Sequence, residues 1–445
     1  MKFDAIGLQV PIILLPNKDV DLTRWAVIAC DQYTSQAEYW NQVEEKVGAA
    51  PSTMRLTFPE IFLEDADKEE RIQHINQAMR QYLGDGTLLE QKPGFILVDR
   101  QTSHAPSRKG LIVALDLEHY DFSVGSKTLI RATEGTIVER LPPRIKVREG
   151  AEIELPHIMV LIDDPEKTVI EPLFGLGLDP VYDFDLMLNG GHIKGYLIDQ
   201  PKHIASIADA ITQLAGPGLT QDAADRDVLL YAMGDGNHSF ATAKAIWETN
   251  KAKEEDQQAI LEHPSRYALV ELVNLHDEGL EFEAIHRVLF KTSPGKVLES
   301  MERYFLNAGM ELLLETCNSL EDAKENALAR SQEQVHAIPF QAQGSFGVAL
   351  IQNPKLTLEV ASLQAFLDDF LRHYPTAELD YIHGEEAVAE LSGKPGSIGF
   401  LLPAISKFHF FNSIAQDGAL PRKTFSMGEA DEKRFYLESR KIKAQ

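Results

Sequence analysis

The spacing of apolar positions along the 445-residue chain predicts both helices and strands. Apolar residues that recur every three or four positions predict helices at residues 35–47, 69–83, 203–214, 256–262, 294–308, 319–334 and 363–373. Dense or alternating apolar runs predict strands at residues 94–99, 108–117, 196–198, 267–274, 344–353, 355–360 and 396–403. The strands at 344–353 and 355–360 are predicted to pair. Thr34 or Ser35 is the predicted N-cap of the first helix, with Glu38 completing a capping box.

The order of these elements predicts the fold class. They do not follow the regular strand–helix alternation of a parallel sheet, so we predict an α+β fold with mixed sheets and flanking helices. No linker of distinctive composition divides the chain. We predict a main α+β domain at residues 1–290, which contains the candidate site, and a C-terminal α+β portion at 291–445 packed on it. A single intertwined unit is the alternative.

The most informative stretch is a strand, a glycine-rich turn and a helix in immediate succession. The apolar run from Val228 to Met233 ends in the turn Gly234-Asp-Gly-Asn-His238, and helical spacing begins at Phe240. The backbone N–H groups from Gly236 to Ser239 would converge at the positive end of the helix dipole. This geometry favours a bound anion, typically a phosphate. The two glycines allow backbone conformations and a close approach that a Cβ atom would block.

Side chains of this turn carry chemistry. Asp235 suits coordination of Mg²⁺ together with phosphate oxygens. His238 suits proton transfer, or donation to a phosphate, near neutral pH. Asn237 and Ser239 add polar groups to the same anion site. The alternative is that Gly-Asp-Gly is ordinary turn chemistry, but the helix that follows and the adjacent histidine favour a site, because a simple hairpin requires neither.

A basic stretch upstream of the turn is the second candidate. Arg131, Arg140 and Arg144 could clamp phosphate or carboxylate groups bidentately. Glu134, which lies among them, is a candidate base or metal ligand. The alternative is a solvated surface strand of alternating charge. Gly135 and two prolines interrupt the stretch and favour a loop.

The composition of the chain argues against several classes of protein. The net charge of −25 argues against a nucleic-acid partner, because phosphate contacts need basic surface. No apolar run is long enough to cross a bilayer, and the run Val10–Leu15 is interpreted as a buried strand, not a signal peptide. The two cysteines, Cys30 and Cys317, indicate no disulfide framework and favour a reducing, cytoplasmic setting. The sequence carries no signal for NAD, flavin, haem or zinc, and it lacks the Walker and nucleophile-elbow motifs.

Two further positions receive a plainer interpretation. Asp31 follows an apolar strand at Trp25–Cys30, and strand ends are common site positions, but no motif specifies a role for it. His157 is followed by Ile158 and Met159 and is predicted to be a core histidine, not a ligand.

These motifs together give the chain a collinear resemblance, over most of its length, to the bacterial and archaeal domain-of-unknown-function family 1015 (DUF1015). The family's Asp-Gly-His-His-Arg-Tyr string resembles Asp235-Gly-Asn-His-Ser-Phe240, and its His-Glu-x-Thr element resembles Thr133-Glu-Gly-Thr136. Three more residues match family elements and become candidate ligand residues: His286, Arg287 and Lys423.

The focal string is also similar to the phosphate-binding turn of the ParB/sulfiredoxin superfamily, in which free serine kinases carry a closely similar string. This resemblance implies a ParB/sulfiredoxin-like strand–turn–helix element. It also implies phosphoryl transfer that involves serine or O-phosphoserine, with ADP or ATP and Mg²⁺ as cofactors. The chain departs from the DUF1015 string at two positions: Asn237 replaces the first histidine, and Ser239 replaces the arginine that would clamp phosphate.

Three functions remain open from the sequence. The leading hypothesis is a small-molecule phosphotransferase, or a phosphatase using the same parts, with Asp235, His238 and Glu134 as catalytic residues. The alternative is a non-catalytic sensor of a nucleotide or phosphometabolite, which the replacements at Asn237 and Ser239 favour. The third is an interaction protein in which the turn is merely structural. The sequence predicts a small anionic ligand, no membrane partner and no particular oligomeric state.

Overall fold

The computed structural model describes residues 1–123, 125–220, 227–331 and 334–444. Over these residues the fold is α+β, with mixed and antiparallel sheets and flanking helices, which confirms the predicted class. The chain forms two compact units: Met1–Glu281 together with Gly428–Gln445, and Phe282–Met427. The division falls earlier than the predicted boundary after residue 290, because the strand at Phe282–Phe290 pairs with strands of the second unit. The end of the chain returns to the first unit.

The strands, in chain order, are β1 Lys2–Phe3, β2 Leu8–Gln9, β3 Leu14–Pro16, β4 Val27–Ile28, β5 Leu88–Glu90, β6 Phe95–Gln101, β7 Arg108–Asp116, β8 Ile130–Arg131, β9 Ile153–Glu154, β10 Met159–Ile162, β11 Pro180–Asp185, β12 His192–Ile198, β13 Tyr231–Asp235, β14 Tyr267–Asn274, β15 Phe282–Phe290, β16 Glu311–Cys317, β17 Val335–Ala342, β18 Ser345–Gln352, β19 Glu378–His383, β20 Ile398–Phe400, β21 Phe425–Met427, β22 Phe435–Tyr436 and β23 Arg440–Lys441. The α-helices are α1 Leu22–Trp25, α2 Ala37–Val47, α3 Lys68–Gly84, α4 Leu141–Arg148, α5 Pro201–Ala215, α6 Asn237–Lys253, α7 Pro294–Asn307, α8 Leu320–Arg330, α9 Glu359–His373, α10 Glu385–Ser392 and α11 Lys407–Asp417. None of the helices in the described ranges combines the length and apolarity needed to cross a bilayer.

The first unit is organised around one mixed sheet. Within the described residues this sheet has ten strands, in the order β11-β12-β6-β7-β14-β10-β13-β8, with β2 beside β7 and β1 beside β2. Most neighbours are antiparallel, but β10 is parallel to β14 and β13 is parallel to β8. Since β13 is antiparallel to β10, the end of β13 at Asp235 lies opposite the start of β10 at Met159.

Alternate residues of the central strands face opposite sides of the sheet, and each side carries its own apolar core. In β7, Leu111 and Val113 pack in the core that includes α5 and α6, whereas Ile112 packs in the core that includes α2 and α3. From α6, Phe240 and Trp247 are fully buried. Burial of a large apolar side chain contributes about 1.5–3 kcal/mol, so these two residues fix α6 on the sheet.

The second unit, in its described residues, has a sheet of seven strands in the order β16-β18-β17-β20-β15-β19, with β21 beside β15. The prediction that residues 355–360 form a strand paired with 344–353 is wrong. The strand β18 pairs with β16 and β17 instead, and α9 begins at Glu359. Leu358 and Val360 are buried at the start of α9, and their alternation with polar neighbours gave the pattern of a strand.

The predicted capping box at the start of α2 is also wrong. The helix begins at Ala37, Gln36 occupies the N-cap position, and no side chain caps it. Tyr33 has a φ of 52° and its carbonyl accepts a hydrogen bond from the Gln36 N–H. The chain therefore makes a tight turn through the residues that the pattern had placed at the helix start.

An ion-pair cluster on the β11–β12 hairpin gives a first testable prediction. His192 Nδ1 lies 2.6 Å from Asp185 Oδ1, and His192 Nε2 lies 2.7 Å from Asp183 Oδ1. The hydrogen bond with Asp185, and also that with Asp183, raise the pKa of His192 against the opposing effect of burial. His192→Gln is therefore expected to lower the free energy of unfolding by up to about 1 kcal/mol in mildly acidic solution, as measured by urea denaturation.

The pH dependence of this effect has a definite sign. Because the pKa of His192 is higher in the folded chain than the unfolded value of about 6.5, the stabilisation is fully present below that value. It is lost as the pH rises through the folded pKa. The deficit of His192→Gln should therefore shrink in alkaline solution when it is compared with that of His74→Gln, a substitution on the exposed side of α3. A deficit that grows with pH would contradict this explanation.

Candidate functional site

The predicted strand–turn–helix is present as β13, the turn at Gly236, and α6. Gly236 is the N-cap of α6 and has a φ of 80°, a left-handed conformation that favours glycine. A Cβ atom at this position would lie 3.0 Å from Ile158 Cγ1 and 3.1 Å from Ile158 Cα. The turn therefore packs directly against the residue before β10, and a larger residue at Gly236 would force them apart.

One backbone amide of the turn is hydrogen-bonded within the protein, and the next three lie at the open end of the helix. The Gly236 N–H donates to Asp235 Oδ1 at 2.8 Å, so the protein's own carboxylate occupies it. The Phe240 N–H donates to Gly236 O at 3.0 Å. The N–H groups of residues 237–239 precede this bond and have no acceptor within the helix. Three of the four predicted anion donors thus face out of the helix at the positive end of its dipole.

Thr133 ties the segment after β8 to this turn. Thr133 Oγ1 donates to Met233 O at 2.6 Å and accepts from Asn237 Nδ2 at 3.5 Å. The other amide atom, Asn237 Oδ1, is buried and has no hydrogen-bond partner among the described residues. A buried acceptor without a donor is destabilising by about 1–3 kcal/mol, so this oxygen is suited to accept from a ligand or a water molecule.

Asp235, at the end of β13, faces Lys433 of the C-terminal segment. Asp235 Oδ2 lies 3.3 Å from Lys433 Nζ, and the Asp235 side chain is 30% exposed. Burial raises the pKa of Asp235, but Lys433 and the Gly236 N–H together lower it by more, and the net pKa lies below the ordinary value. Asp235 is therefore an ionised carboxylate at neutral pH and can accept a hydrogen bond from a substrate hydroxyl.

His238 is a neutral imidazole in this environment. Burial, and also the positive charges of Arg144 and Arg140, lower the pKa of His238. His238 Nε2 accepts a hydrogen bond from the Ile137 N–H at 3.3 Å. The ring proton of the neutral form therefore lies on Nδ1, from which His238 can donate to a bound anion.

His157, two residues before β10, is the centre of a polar cluster. His157 Nε2 lies 2.9 Å from Ser239 Oγ, and His157 Nδ1 lies 2.8 Å from Tyr436 OH. Asp31 Oδ2 lies 3.9 Å from His157 Nε2. The pairing of β22 with β4, with Tyr436 opposite Val27, brings the phenol to this position. The interpretation of His157 as a core histidine is therefore incomplete: its side chain is nearly buried, but its ring nitrogens join groups from distant parts of the chain.

A cavity of about 140 Å³ opens beside this cluster. Its polar wall includes Ser239, His157, Tyr436 and the ion pair of Glu60 with Arg144, whose Oε1 and Nη2 atoms are 2.5 Å apart. Burial raises the pKa of Glu60, although Arg144 opposes the rise. The rest of the lining is largely apolar and includes Leu56, Phe58, Leu63, Ile75, Met79, Val147, Ile153 and Leu269. The cavity suits a small molecule with both a polar and an apolar part.

Some of the residues predicted upstream of α6 lie at the site, and others do not reach it. Arg131 is buried, and its Nη2 lies 2.5 Å from Asp227 Oδ1. Arg140 is exposed at the start of α4, whereas Arg144 lies one turn further on and lines the cavity. Glu134 is half-buried between β8 and α4. Arg140 and Arg144 therefore lie near enough to the helix start to lower the pKa of His238, while Arg131 is paired with Asp227 and Arg144 with Glu60.

The other predicted ligand residues belong to the second unit. His286 Nδ1 accepts from the Leu402 N–H at 3.1 Å. Arg287 is buried and donates to Gln364 Oε1 at 2.8 Å and to Lys423 O at 3.0 Å. These contacts support the second sheet, and a ligand-binding role for His286, Arg287 and Lys423 stays a prediction.

Sequence reasoning did not find Lys433, Tyr436 or Glu60. No local motif surrounds them, and the first two belong to the C-terminal segment that the pairing of β22 with β4 brings to the site. The available signal was the position of Asp31 just after β4, at the end of a strand.

The described parts of the chain contain no group of three or more His, Cys, Asp or Glu side chains arranged to hold a metal ion. Mg²⁺ commonly uses one or two carboxylates, with substrate phosphates and water as its other ligands. Asp235 could supply one such ligand, but Lys433 lies beside the same carboxylate. The role of Asp235 in binding Mg²⁺ stays a prediction.

Comparison with known proteins gives a family and several distant structural likenesses. The family described as "Protein of unknown function (DUF1015)" matches residues 14–373. A free serine kinase in complex with AMP is 13% identical with a TM-score of 0.38, over 75% of this chain and 91% of that one. A conserved hypothetical protein from Pyrococcus furiosus is 15% identical with a TM-score of 0.36, over 75% and 95%. SbnI with a C-terminal truncation, from Staphylococcus aureus, is 9% identical with a TM-score of 0.33, over 73% and 82%. No curated protein matches this chain.

Proposed function

This chain belongs to the DUF1015 family, and on that premise we propose that it is an enzyme of small-molecule phosphoryl transfer. The observation that carries the proposal is the start of α6, where the N–H groups of residues 237–239 lie at the positive end of the helix. Helix starts of this kind bind phosphate groups. The ionised Asp235 and the cavity beside Ser239 adjoin the same turn.

Each side chain around this helix start would have a separate role in such a reaction. Lys433 and Arg144, which pair with Asp235 and Glu60, would also attract a bound phosphate, and His238 would donate to it from Nδ1. Asp235 would accept a hydrogen bond from the attacking hydroxyl and orient it. Positioning and preorganised charge account for most of the catalysis of phosphoryl transfer.

The resemblance of the focal string to that of free serine kinases supports a substrate class. The phosphoryl donor would be ADP or ATP and the acceptor the hydroxyl of serine, or the reverse reaction would start from O-phosphoserine. Mg²⁺ would be held mainly by phosphate oxygens, with Asp235 as a protein ligand, and would balance their charge.

The proposal is tested by ligand binding followed by turnover. ADP, ATP and O-phosphoserine are each expected to raise the unfolding temperature of the full chain. Asp235→Asn is expected to retain binding but to lower phosphoryl transfer to serine by about 10²–10⁴-fold. Asp19→Asn, at an exposed aspartate after β3, is the matched control. If no phosphate compound stabilises the chain, the turn is structural and the enzyme proposal fails.

A non-catalytic sensor is the second candidate function. The specific observation in its favour is the pair of replacements in the focal string, Asn237 and Ser239, which remove a histidine and an arginine from the resembling string. Stabilisation by a nucleotide or by phosphoserine, without turnover in either direction, would favour this candidate over the enzyme.

A further inference from the structure

Ser239 is paired with a histidine in the geometry of an activated nucleophile. Ser239 Oγ lies 2.9 Å from His157 Nε2, and both side chains line the cavity beside α6. A nucleophile within hydrogen-bond reach of a base, with a third group orienting the base, is the general arrangement for covalent catalysis. The proposed phosphoryl transfer does not yet assign either residue a role.

The group that orients His157 also determines which ring nitrogen acts as the base. The Tyr436 hydroxyl donates its hydrogen to Cys30 Sγ at 3.0 Å. A hydroxyl has one hydrogen to donate, so Tyr436 can only accept from His157 Nδ1, which lies 2.8 Å away. When Tyr436 donates to Cys30 Sγ, His157 Nδ1 carries the ring proton and Nε2 is the acceptor for the Ser239 hydroxyl; this is the tautomer in which Nε2 can act as the base.

Two charged residues near this pair would stabilise the charges that proton transfer from Ser239 to His157 creates. Asp31 Oδ2 lies 3.9 Å from His157 Nε2 and would stabilise the imidazolium that forms when Ser239 loses its proton. Arg144 lines the same cavity and would balance negative charge that develops on a group attached to Ser239.

We propose that Ser239 accepts the phosphoryl group as a covalent intermediate, with His157 as its base; this step rests on the proposed phosphoryl transfer. Ser239 Oγ forms a bond to phosphorus while the bond from phosphorus to the leaving oxygen of the donor breaks. The proton of Ser239 moves to His157 Nε2 and then to the leaving oxygen, which departs with the bonding electron pair.

The second half of the cycle restores the enzyme. His157 Nε2 takes the proton of the acceptor hydroxyl as that oxygen bonds to phosphorus. The bond between phosphorus and Ser239 Oγ breaks, and the proton passes from His157 to Ser239. The net reaction is transfer of one phosphoryl group, with Ser239 and His157 unchanged.

A fluorophosphonate probe tests the nucleophile without any nucleotide, because it offers a reactive phosphorus whose fluoride leaves when serine attacks. Mass mapping of the labelled full chain is expected to place the adduct on Ser239. His157→Gln is expected to slow labelling by about 10²-fold or more, the usual range for loss of a general base. Thr249→Ala, which removes another hydroxyl of α6 far from the cavity, should label like the wild type. Absence of label on Ser239, or a rate unchanged in His157→Gln, would overturn the proposal.

A second measurement separates this proposal from the one that it rests on. Acid-quenched mixtures with ATP or ADP are mapped for phosphate on Ser239, while binding of the same nucleotide is followed by thermal unfolding. Phosphate on Ser239 in the wild type, with none in Ser239→Ala, supports the covalent step. If the nucleotide binds and serine is phosphorylated while Ser239→Ala keeps full turnover, the covalent step is wrong and the proposed function stands. If no nucleotide binds, the proposed function fails, and the fluorophosphonate result alone decides whether Ser239 is activated.

Discussion

Replacement of Arg434 by leucine is expected to destabilise the first unit by about 3–5 kcal/mol, because it removes the charge between two buried carboxylates. Arg434 Nη1 lies 2.8 Å from Glu271 Oε2, and Nη2 contacts Glu438. The side chains of Arg434, Glu271 and Glu438 are 3%, 1% and 0% exposed. Leucine would fill part of the space but would leave both carboxylates without this partner. Urea denaturation followed by tryptophan fluorescence isolates the effect, since all three tryptophans of the chain lie in the first unit.

The effect of Arg434→Leu also has an expected pH dependence. Burial raises the pKa of Glu271, but Arg434 and Arg108 lower it by more, and the net pKa is depressed. Stability from a depressed pKa is present above the unfolded value and is lost as the pH falls through the folded value. The deficit of Arg434→Leu should therefore shrink in acid. Lys443→Ala, which removes an exposed ion pair with Glu152, should cost less than about 1 kcal/mol. A loss for Arg434→Leu as small as that of this control would contradict the argument.

Replacement of Lys433 by methionine is expected to have a large effect on the proposed activity. Without Lys433, burial of Asp235 is opposed mainly by the Gly236 N–H, and the pKa of Asp235 rises. The positive charge beside the helix start is lost as well. We expect turnover to fall by about 10²–10³-fold, as happens when one preorganised charge-stabilising group is removed. The pH below which turnover declines should move upward, because Asp235 would become protonated at a higher pH.

The matched variant for this experiment is Lys433→Arg, which keeps the charge beside Asp235. It should retain most of the turnover and the acid limb of the wild type, with both variants compared by pH–rate profiles on the full chain. If Lys433→Met and Lys433→Arg lose turnover equally, packing and not charge is the contribution of Lys433. If neither changes the profile, Asp235 is not the residue whose ionisation limits the reaction.

The fold could be predicted from the sequence where the local pattern had one solution. Residues 267–274 form β14 with the predicted limits, because a dense apolar run, interrupted by Glu271, suits a strand that is buried on both faces. The strand predicted at residues 355–360 does not form. An alternating pattern also fits a loop followed by the first turn of α9, because Leu358 and Val360 pack inward. The limits of the second unit depended on which strands pair across long separations, which periodicity does not report.

The candidate site divides in the same way. The turn at Gly236 could be predicted because the strand, the glycine and the helix are contiguous in sequence. Its left-handed φ is a conformation that glycine favours. Lys433 and Tyr436 could not be predicted, since they are separated from the turn by the whole second unit. His157 is followed in sequence by apolar residues, but its ring contacts polar groups from distant segments. The sequence therefore predicted a core histidine and missed the polar cluster.

The return of the chain end to the first unit also constrains how a newly made molecule becomes functional. Translation at about 5–20 residues per second delivers Lys433, Arg434 and Tyr436 roughly 7–30 s after Glu281, once residues 282–427 have been made. During that interval the nascent chain holds Glu271 without Arg434, and His157 without the phenol that lies beside its Nδ1. A ribosome-bound precursor that ends before Lys433 therefore lacks part of the candidate site.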